Sequence, residues 1–299
     1  MSIEKIVKAL ESAGVDFLRD APMKNYTTFR IGGPADILIT AKSINELKEI
    51  LLILKSENMP YMILGNGSNL LVRDEGLRMA LIKLSGDFKE IGTKESTITC
   101  GAGVTLSKLC TFAHSNSLSG LEFAFGIPGT VGGAVYMNAG AYGGEMKDVL
   151  TEVTFLTKDG EILTKSVDEL SLSYRYSIFK ETGDIVLSAR FTLSQDSKEE
   201  IKARMDDFMN RRVTKQPLEY PSAGSVFKRP EGAFAGALIE QCNFKGYSIG
   251  GAQVSEKHSG FIVNRGEASC QDVLDLILLI QNTVREKTGF ELEREIILI

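Results

Sequence analysis

Gly126-Ile127-Pro128-Gly129-Thr130-Val131-Gly132-Gly133-Ala134-Val135-Tyr136-Met137-Asn138-Ala139-Gly140-Ala141-Tyr142-Gly143-Gly144 is the stretch on which the reading of this fold turns. Eight glycines fall within the 25 residues from Gly120 to Gly144. A flexible linker is built from Gly and Ser with little apolar content. These glycines instead alternate with Ile, Pro, Val, Ala, Tyr and Met, which favour burial. Glycine lets a backbone approach a partner with no Cβ in the way. A segment both apolar and glycine-dense therefore predicts backbone pressed against something flat or anionic. A dinucleotide is both.

A second loop points the same way. Tyr61-Met62-Ile63-Leu64 reads as a short buried strand running into Gly65-Asn66-Gly67-Ser68-Asn69-Leu70-Leu71. Successive N–H groups in such a turn form an anion-binding nest, and Ser68 and Asn69 add side-chain hydrogen bonds. A plain tight turn between two strands fits the same residues. There is no G-x-x-x-x-G-K-[ST], hence no P-loop. Gly65-Asn66-Gly67 opens like a dinucleotide fingerprint, but Leu70 stands where the third glycine belongs.

The bulk properties bound the class. A chain of 299 residues has room for two or three domains. With 43% hydrophobic and 24% charged residues it is an ordinary globular protein. A net charge of −5 argues against nucleic acid or an anionic membrane as the main partner, although Arg211, Arg212 and Lys215 can still hold a phosphate. The N-terminus has no signal-peptide core, and the apolar runs at 50–54 and 276–280 are too short to span a bilayer. We expect a monomer in the cytoplasm. Cys100, Cys110, Cys242 and Cys270 have no C-x-x-C spacing and read as reduced structural thiols. Two histidines, His114 on a helix face and His258 in a loop, exclude a multi-histidine metal site. No metal is expected, and neither histidine is given a function.

The order of elements follows from periodicity and caps. Ile3, Ile6, Val7 and Leu10 predict a helix closed by Gly14, and Ser43 to Glu46 is a capping box opening a helix to about Asn58. With strands at 61–64 and 79–84 this is a β-α-β pattern. Short strands follow at 88–91 and 97–100, then a helix at 105–116. A hairpin with a two-residue turn at Asp159-Gly160 joins 153–156 to 162–164, and another strand spans 185–193. Ser197 caps a charged helix to about Arg212, a helix lies near 236–242, and Ser269 caps a long helix ending at Gly289. The last strand is expected over 292–299. Strands interleaved with helices and hairpins predict an α+β fold. The expected domains are 1–84, 85–196 and 197–299.

Six motifs, in order, resemble the UDP-N-acetylenolpyruvoylglucosamine reductase family of flavoenzymes. They are Asn25-Tyr26-Thr27-Thr28-Phe29-Arg30-Ile31-Gly32-Gly33, Gly65 to Leu71, Gly126 to Gly144, Tyr174-Arg175-Tyr176-Ser177, Ser222-Ala223-Gly224-Ser225-Val226-Phe227-Lys228 and Leu292-Glu293-Arg294-Glu295. The resemblance implies a two-part FAD-binding domain of the PCMH, vanillyl-alcohol-oxidase-like kind, over 1–84 and 85–196. A smaller α+β substrate-binding domain follows. It implies FAD held by Tyr26, Arg30, Gly65, Asn66, Gly67, Ser68, Asn69 and Leu70, and by Ile127, Pro128, Gly129, Thr130, Gly133, Ala134, Asn138, Gly140 and Ala141. It also implies NADPH as hydride donor and a UDP-sugar as substrate, in peptidoglycan precursor synthesis. Tyr174 to Ser177 leads directly into the strand at 185, so the chain resembles the shorter form of the family, without an inserted substrate-covering tyrosine.

The reaction so implied sets its own demands. Hydride must come from a cofactor, because no side chain supplies it. An enol ether is a poor hydride acceptor unless its carboxylate is polarised, and the resulting enolate needs a cation and then a proton. Arg175 suits the first task, since a guanidinium holds a carboxylate through two hydrogen bonds. Ser225, in an expected turn, suits the proton delivery. The resemblance puts Glu295 beside the substrate carboxylate. Lys215 is the candidate for the UDP diphosphate, with Gln253 and Asn264 as further substrate contacts. Two rival readings are an FAD-dependent alcohol oxidase of the same fold and a nucleotide-sugar-binding protein without catalysis. The loop from Gly65 to Asn69 carries Ser68 and no histidine for a covalent flavin link. Acid precipitation should therefore leave the yellow colour in the supernatant; colour that stays with the precipitate would rule out noncovalent FAD.

Overall fold

The structure, a computed structural model, describes residues 3–299. It has the expected α+β class. The helix Ile3–Ala13 buries Ile6, Val7 and Leu10, and the helix Ile44–Ser56 buries Leu47, Ile50 and Leu54. Both sets recur at the three-and-four spacing of one helical face. Ser43 caps the second helix by accepting the Glu46 N–H, while the Glu46 carboxylate reaches back to the N–H of Lys42. The strand Tyr61–Ile63 then pairs in parallel with Leu77–Leu84, completing the β-α-β unit. Strands Asp16–Pro22, Pro34–Ala41, Leu77–Leu84 and Tyr61–Ile63 lie in that order in one sheet.

Compactness divides the chain differently from the expected segments 1–84, 85–196 and 197–299. One unit gathers the chain up to Leu18 with Leu38–Gly65 and Ala80–Arg212. The other gathers Arg19–Ile37, Asn66–Met79 and Val213–Ile299. Most of the charged helix Lys198–Lys215 thus packs with the first unit, and two N-terminal segments pack with the C-terminal residues.

In the first unit, an antiparallel sheet runs in the order Ile162–Ser166, Leu150–Leu156, Ile185–Thr192, Thr97–Gly101, Ile91–Lys94. Residues expected as a strand at 88–91 instead form a short helical turn, Gly86–Lys89, which buries Phe88 and is held where the Asp87 N–H meets the Lys42 carbonyl at 2.9 Å. The hairpin turn is longer than expected. The Thr157 N–H still reaches the Glu161 carbonyl, leaving three residues at the tip, with Gly160 at φ +85°. All four cysteines are free and buried, and burial pushes the Cys100 and Cys110 thiols up to about 12.

In the second unit, strands Ser222–Ser225, Phe261–Asn264, Ala252–Val254 and Ser248–Ile249 form an antiparallel sheet. The helix Cys270–Thr288 covers its core with Val273, Leu276, Ile277, Ile280 and Val284. Ser269 and Asp272 form its capping box. The expected C-terminal strand over 292–299 is divided between two partners. Its early part bonds to 226–228, where the Lys228 N–H meets the Glu293 carbonyl at 2.8 Å. Its end, Ile297–Leu298, pairs in parallel with Leu70–Leu71.

A buried carboxylate braces the entry to the glycine-rich segment. Glu122 accepts the Gly120 N–H at 2.7 Å, the Ser119 hydroxyl at 2.9 Å and Arg204 at 2.9 and 3.1 Å. Arg204 also donates to Asp196. Burial by itself raises the Glu122 carboxyl, but hydrogen bonds from backbone N–H groups, Arg204 and Ser119 outweigh it and hold it below the ordinary glutamate range. Its contribution is therefore complete above the unfolded-state value, about 4.3, and is lost as pH falls through the folded one. Glu122→Ala should cost about 3 kcal/mol at neutral pH and flatten the acid limb of stability, read by urea unfolding between pH 3 and 7.

Candidate active site

The first unit assembles the long glycine segment with Arg175. Thr130 caps the short helix Val131–Tyr136, and the chain then forms a tight hairpin, Gly140–Ala141 against Gly144–Glu145. Space around the glycines separates two roles. A Cβ on Gly132 would lie 3.0 Å from the Ala102 side chain, and one on Gly140 would lie 2.6 Å from the Gly144 carbonyl. The protein itself requires those two. A Cβ on Gly129 or Gly133 would meet nothing closer than 3.6 Å. Protein packing makes no demand for glycine there, so these two positions fit a backbone cradle that an outside group fills.

Arg175 sits at the tip of a turn closed by paired bonds between Ser173 and Tyr176, at 3.0 and 3.1 Å. Its φ of +56° is costly for a residue with a Cβ, a strain that recurs at functional positions. Three contacts tie this turn to the glycine segment. Asn138 donates to the Ser173 carbonyl at 3.0 Å, the Ser177 hydroxyl donates to the Tyr136 carbonyl at 2.7 Å, and Arg175 reaches the Gly140 carbonyl at 3.5 Å. The guanidinium carbon also lies 5.1 Å from the centre of the Tyr174 ring. Asn138 was expected at the cofactor, yet its fully buried amide also donates to Glu145 and accepts the Lys147 N–H. Its side chain is spent inside the protein, fastening the Arg175 turn.

Gly65 ends in this unit, where a Cβ would press on the Thr130 hydroxyl at 2.8 Å. The rest of that loop belongs to the second unit. A Cβ on Gly67 would lie 2.3 Å from the Tyr26 carbonyl, so both glycines answer to packing within the protein as well as to any ligand. Arg30 is exposed at φ +56°, and Leu70 is buried in its short strand.

The second unit brings Ser225, Glu295 and Asn69 together through their backbones. The Glu295 N–H donates to the Val226 carbonyl at 2.8 Å, and Val226 follows Ser225 directly. The Asn69 side chain donates to the Glu295 carbonyl at 3.3 Å, and the Asn69 carbonyl accepts the Ile297 N–H. Ser225 closes a bulged strand, not the open turn expected, and is half-buried. Periodicity gave no sign of this, because the strand is defined by its pairing with Phe261–Asn264.

The three substrate candidates stand apart in character. Lys215 is exposed at the end of its helix. Gln253 donates to the Gly246 carbonyl at 3.0 Å. Asn264 is buried, donating to the Phe29 and Arg30 carbonyls and accepting from Gly266 and Ala268. It locks the Tyr26 to Arg30 segment and has no amide group left over for a substrate. The tertiary role of Asn138 and Asn264 was invisible in the sequence, where Asn138 was expected at the cofactor and Asn264 at the substrate.

Among the described residues, no helix is long and apolar enough to cross a membrane. Residues 35–166 match the family model described as an FAD binding domain. Residues 216–299 match the model described as the UDP-N-acetylenolpyruvoylglucosamine reductase C-terminal domain. The chain is 51% identical to the UDP-N-acetylenolpyruvoylglucosamine reductase of Agathobacter rectalis, over 99% of this chain and 98% of that one. It is 48% identical to the reductase of the same name from Clostridioides difficile, over 94% and 92%. The crystal structure of the corresponding enzyme from Thermus caldophilus is similar at a TM-score of 0.81 and 40% identity, covering 95% of this chain and 98% of that one.

The glycine geometry carries its own test. Gly133→Ala should stabilise the apoprotein slightly, by up to about 1 kcal/mol, because alanine favours a helix. It should nevertheless weaken FAD binding at least about tenfold by filling the cradle. Thermal unfolding and flavin fluorescence titration separate the two, and unchanged FAD affinity would refute the cradle.

Proposed function

This chain belongs to the UDP-N-acetylenolpyruvoylglucosamine reductase family, and from that premise we propose that it reduces the enolpyruvyl double bond of UDP-N-acetylglucosamine enolpyruvate to UDP-N-acetylmuramate. FAD, held without a covalent link, supplies the hydride when bound and is recharged by NADPH. The residues that would hold it are Gly129, Thr130, Gly133 and their neighbours in the glycine segment, with the loop from Gly65 to Leu70. We take the protein to work as a cytoplasmic monomer.

The chain's own residues have three tasks. Arg175 holds and polarises the substrate carboxylate, so that the double bond accepts a hydride and the enolate charge meets a cation. Ser225 delivers the proton to the enolate carbon; a neutral hydroxyl suffices because that carbon is a strong base. Glu295 shares a proton with the enediolate oxygens. Lys215 is the candidate for the diphosphate. The observation that carries this reading is the 2.8 Å bond from the Glu295 N–H to the Val226 carbonyl, which ties the Glu295 backbone to the residue that follows Ser225. The pinned Arg175 turn supports the role given to Arg175.

Stopped-flow absorbance at the flavin band, without oxygen, tests the whole. NADPH should bleach the colour and the enolpyruvyl UDP-sugar should restore it; bleaching without recovery would remove the substrate. Ser225→Ala should leave bleaching nearly intact and slow recovery by about 10²–10⁴. Equal damage to both steps would sink its role. Arg175→Lys should slow recovery severely too, since a point charge cannot reproduce the guanidinium fork.

A further inference from the structure

His258 stands at the outer end of a run of hydrogen bonds that leads to both Ser225 and Glu295. Its Nδ1 accepts the Gly260 N–H at 3.1 Å. The Gly260 carbonyl accepts the Val226 N–H at 2.9 Å, and the Val226 carbonyl accepts the Glu295 N–H at 2.8 Å. The loop that carries the imidazole is itself fixed. Ser255 accepts the N–H groups of Lys257 and His258, and the His258 carbonyl accepts the Phe261 N–H. Space at Gly260 is shaped to the ring, because a Cβ there would lie 2.9 Å from the His258 imidazole. Phe261 meets the other side, 4.9 Å between ring centres and at 66°. Ser225 pairs with Phe261 in the sheet, so the imidazole braces the very strand position opposite the proposed proton donor.

We propose that neutral His258 is a positioning residue for Ser225 and Glu295: its Nδ1 fixes the N–H of Gly260, the residue whose carbonyl accepts the Val226 N–H, and Val226 in turn holds Glu295. This rests on the function proposed above. An acceptor at Nδ1 requires the neutral ring with its proton on Nε2, since imidazolium has two donors and no acceptor. Protonation would turn the Gly260 N–H from partner to opponent. The groups facing the ring are few. Glu240, from the helix Ala235–Gln241, favours the charged ring, but it is engaged by Lys245 and by the Ser259 hydroxyl. Neighbouring Lys257 pairs with Glu219 at 3.6 Å. Gly236 and Phe261 supply only uncharged surface. Burial is the largest influence and pushes the imidazole below the ordinary histidine value, against a hydrogen bond with the His258 backbone and then the Glu240 charge, both of which favour the charged ring. The contact is therefore complete above the unfolded value, about 6.5, and is lost as pH falls through the folded one.

The test compares two variants of the FAD-loaded protein. His258→Asn keeps an acceptor at the same distance from Cβ, and asparagine accepts the N–H two residues on in an ordinary Asx turn. His258→Phe keeps the bulk and loses the acceptor. His258→Phe should slow flavin reoxidation by the enolpyruvyl UDP-sugar by about ten- to a hundredfold while NADPH bleaching stays within about twofold. His258→Asn should restore most of that rate and lack the acid inflection of the wild type. Two readouts need no turnover. Imidazole ¹⁵N shifts should show the Nε2–H tautomer, and hydrogen exchange at Val226 and Glu295 should quicken about tenfold in His258→Phe but not in His258→Asn. Wild-type reoxidation and exchange in His258→Phe, or an Nδ1–H tautomer, would overturn the inference while leaving the reaction standing. Failure of the wild type to be reoxidised would instead remove the reaction, and the tautomer and exchange rates would then decide the His258 contact alone.

Discussion

The hydrogen bond from the Glu295 N–H to the Val226 carbonyl is the constraint on which the second unit is organised. It joins residues some seventy positions apart in a chain of 299. On one side the run continues through Gly260 to His258; on the other, through Asn69 to Ile297. The C-terminal segment is thus stitched between the Ser225 strand and the first glycine loop. Backbone bonds suit this task better than side-chain contacts. The links from Gly260 to Val226 and from Val226 to Glu295 are made by groups with no rotamer freedom of their own, and only the ends of the run, at Asn69 and His258, use side chains.

The first unit solves a matching problem for Arg175. A guanidinium at the end of a flexible stem positions poorly unless its backbone is fixed. Here the turn that carries it is closed on itself and tied to the glycine segment by Asn138 and Ser177. The strained backbone at Arg175 persists because these bonds over-determine it. The same glycine segment has open space at Gly129 and Gly133, so one element both fastens the arginine turn and leaves room beside its backbone.

Division of the chain into two compact units gives the interleaving of motifs a physical sense. The segments 19–37 and 66–79 leave the N-terminal part to pack with residues after 212. Tyr26, Arg30 and Asn69 therefore share a unit with Ser225 and Glu295 despite their distance in sequence. Buried Asn264 is one of the fasteners that make this possible, accepting from two N–H groups and donating to two carbonyls. An unpaired amide at that depth would be expensive, which is why its full satisfaction identifies it as structural.

Local rules made much of this legible. The helices capped by Ser43 and Ser269 begin where their capping residues require, and the apolar spacing of 270–288 marks the face that covers the core. The glycine segment and the six motifs also stood in the sequence, because each is a short run of neighbouring residues. What only the tertiary structure decided were the partners. Phe88 turns into a helical coil to reach the core, the final strand splits between two neighbours, and Asn138 and Asn264 face inward. His258 reads as a loop histidine until Gly260, Val226 and Glu295 are seen in line. The reason is common to all of them. Caps and periodicity act over three or four residues, whereas a long-range hydrogen bond depends on which distant backbone the fold brings alongside.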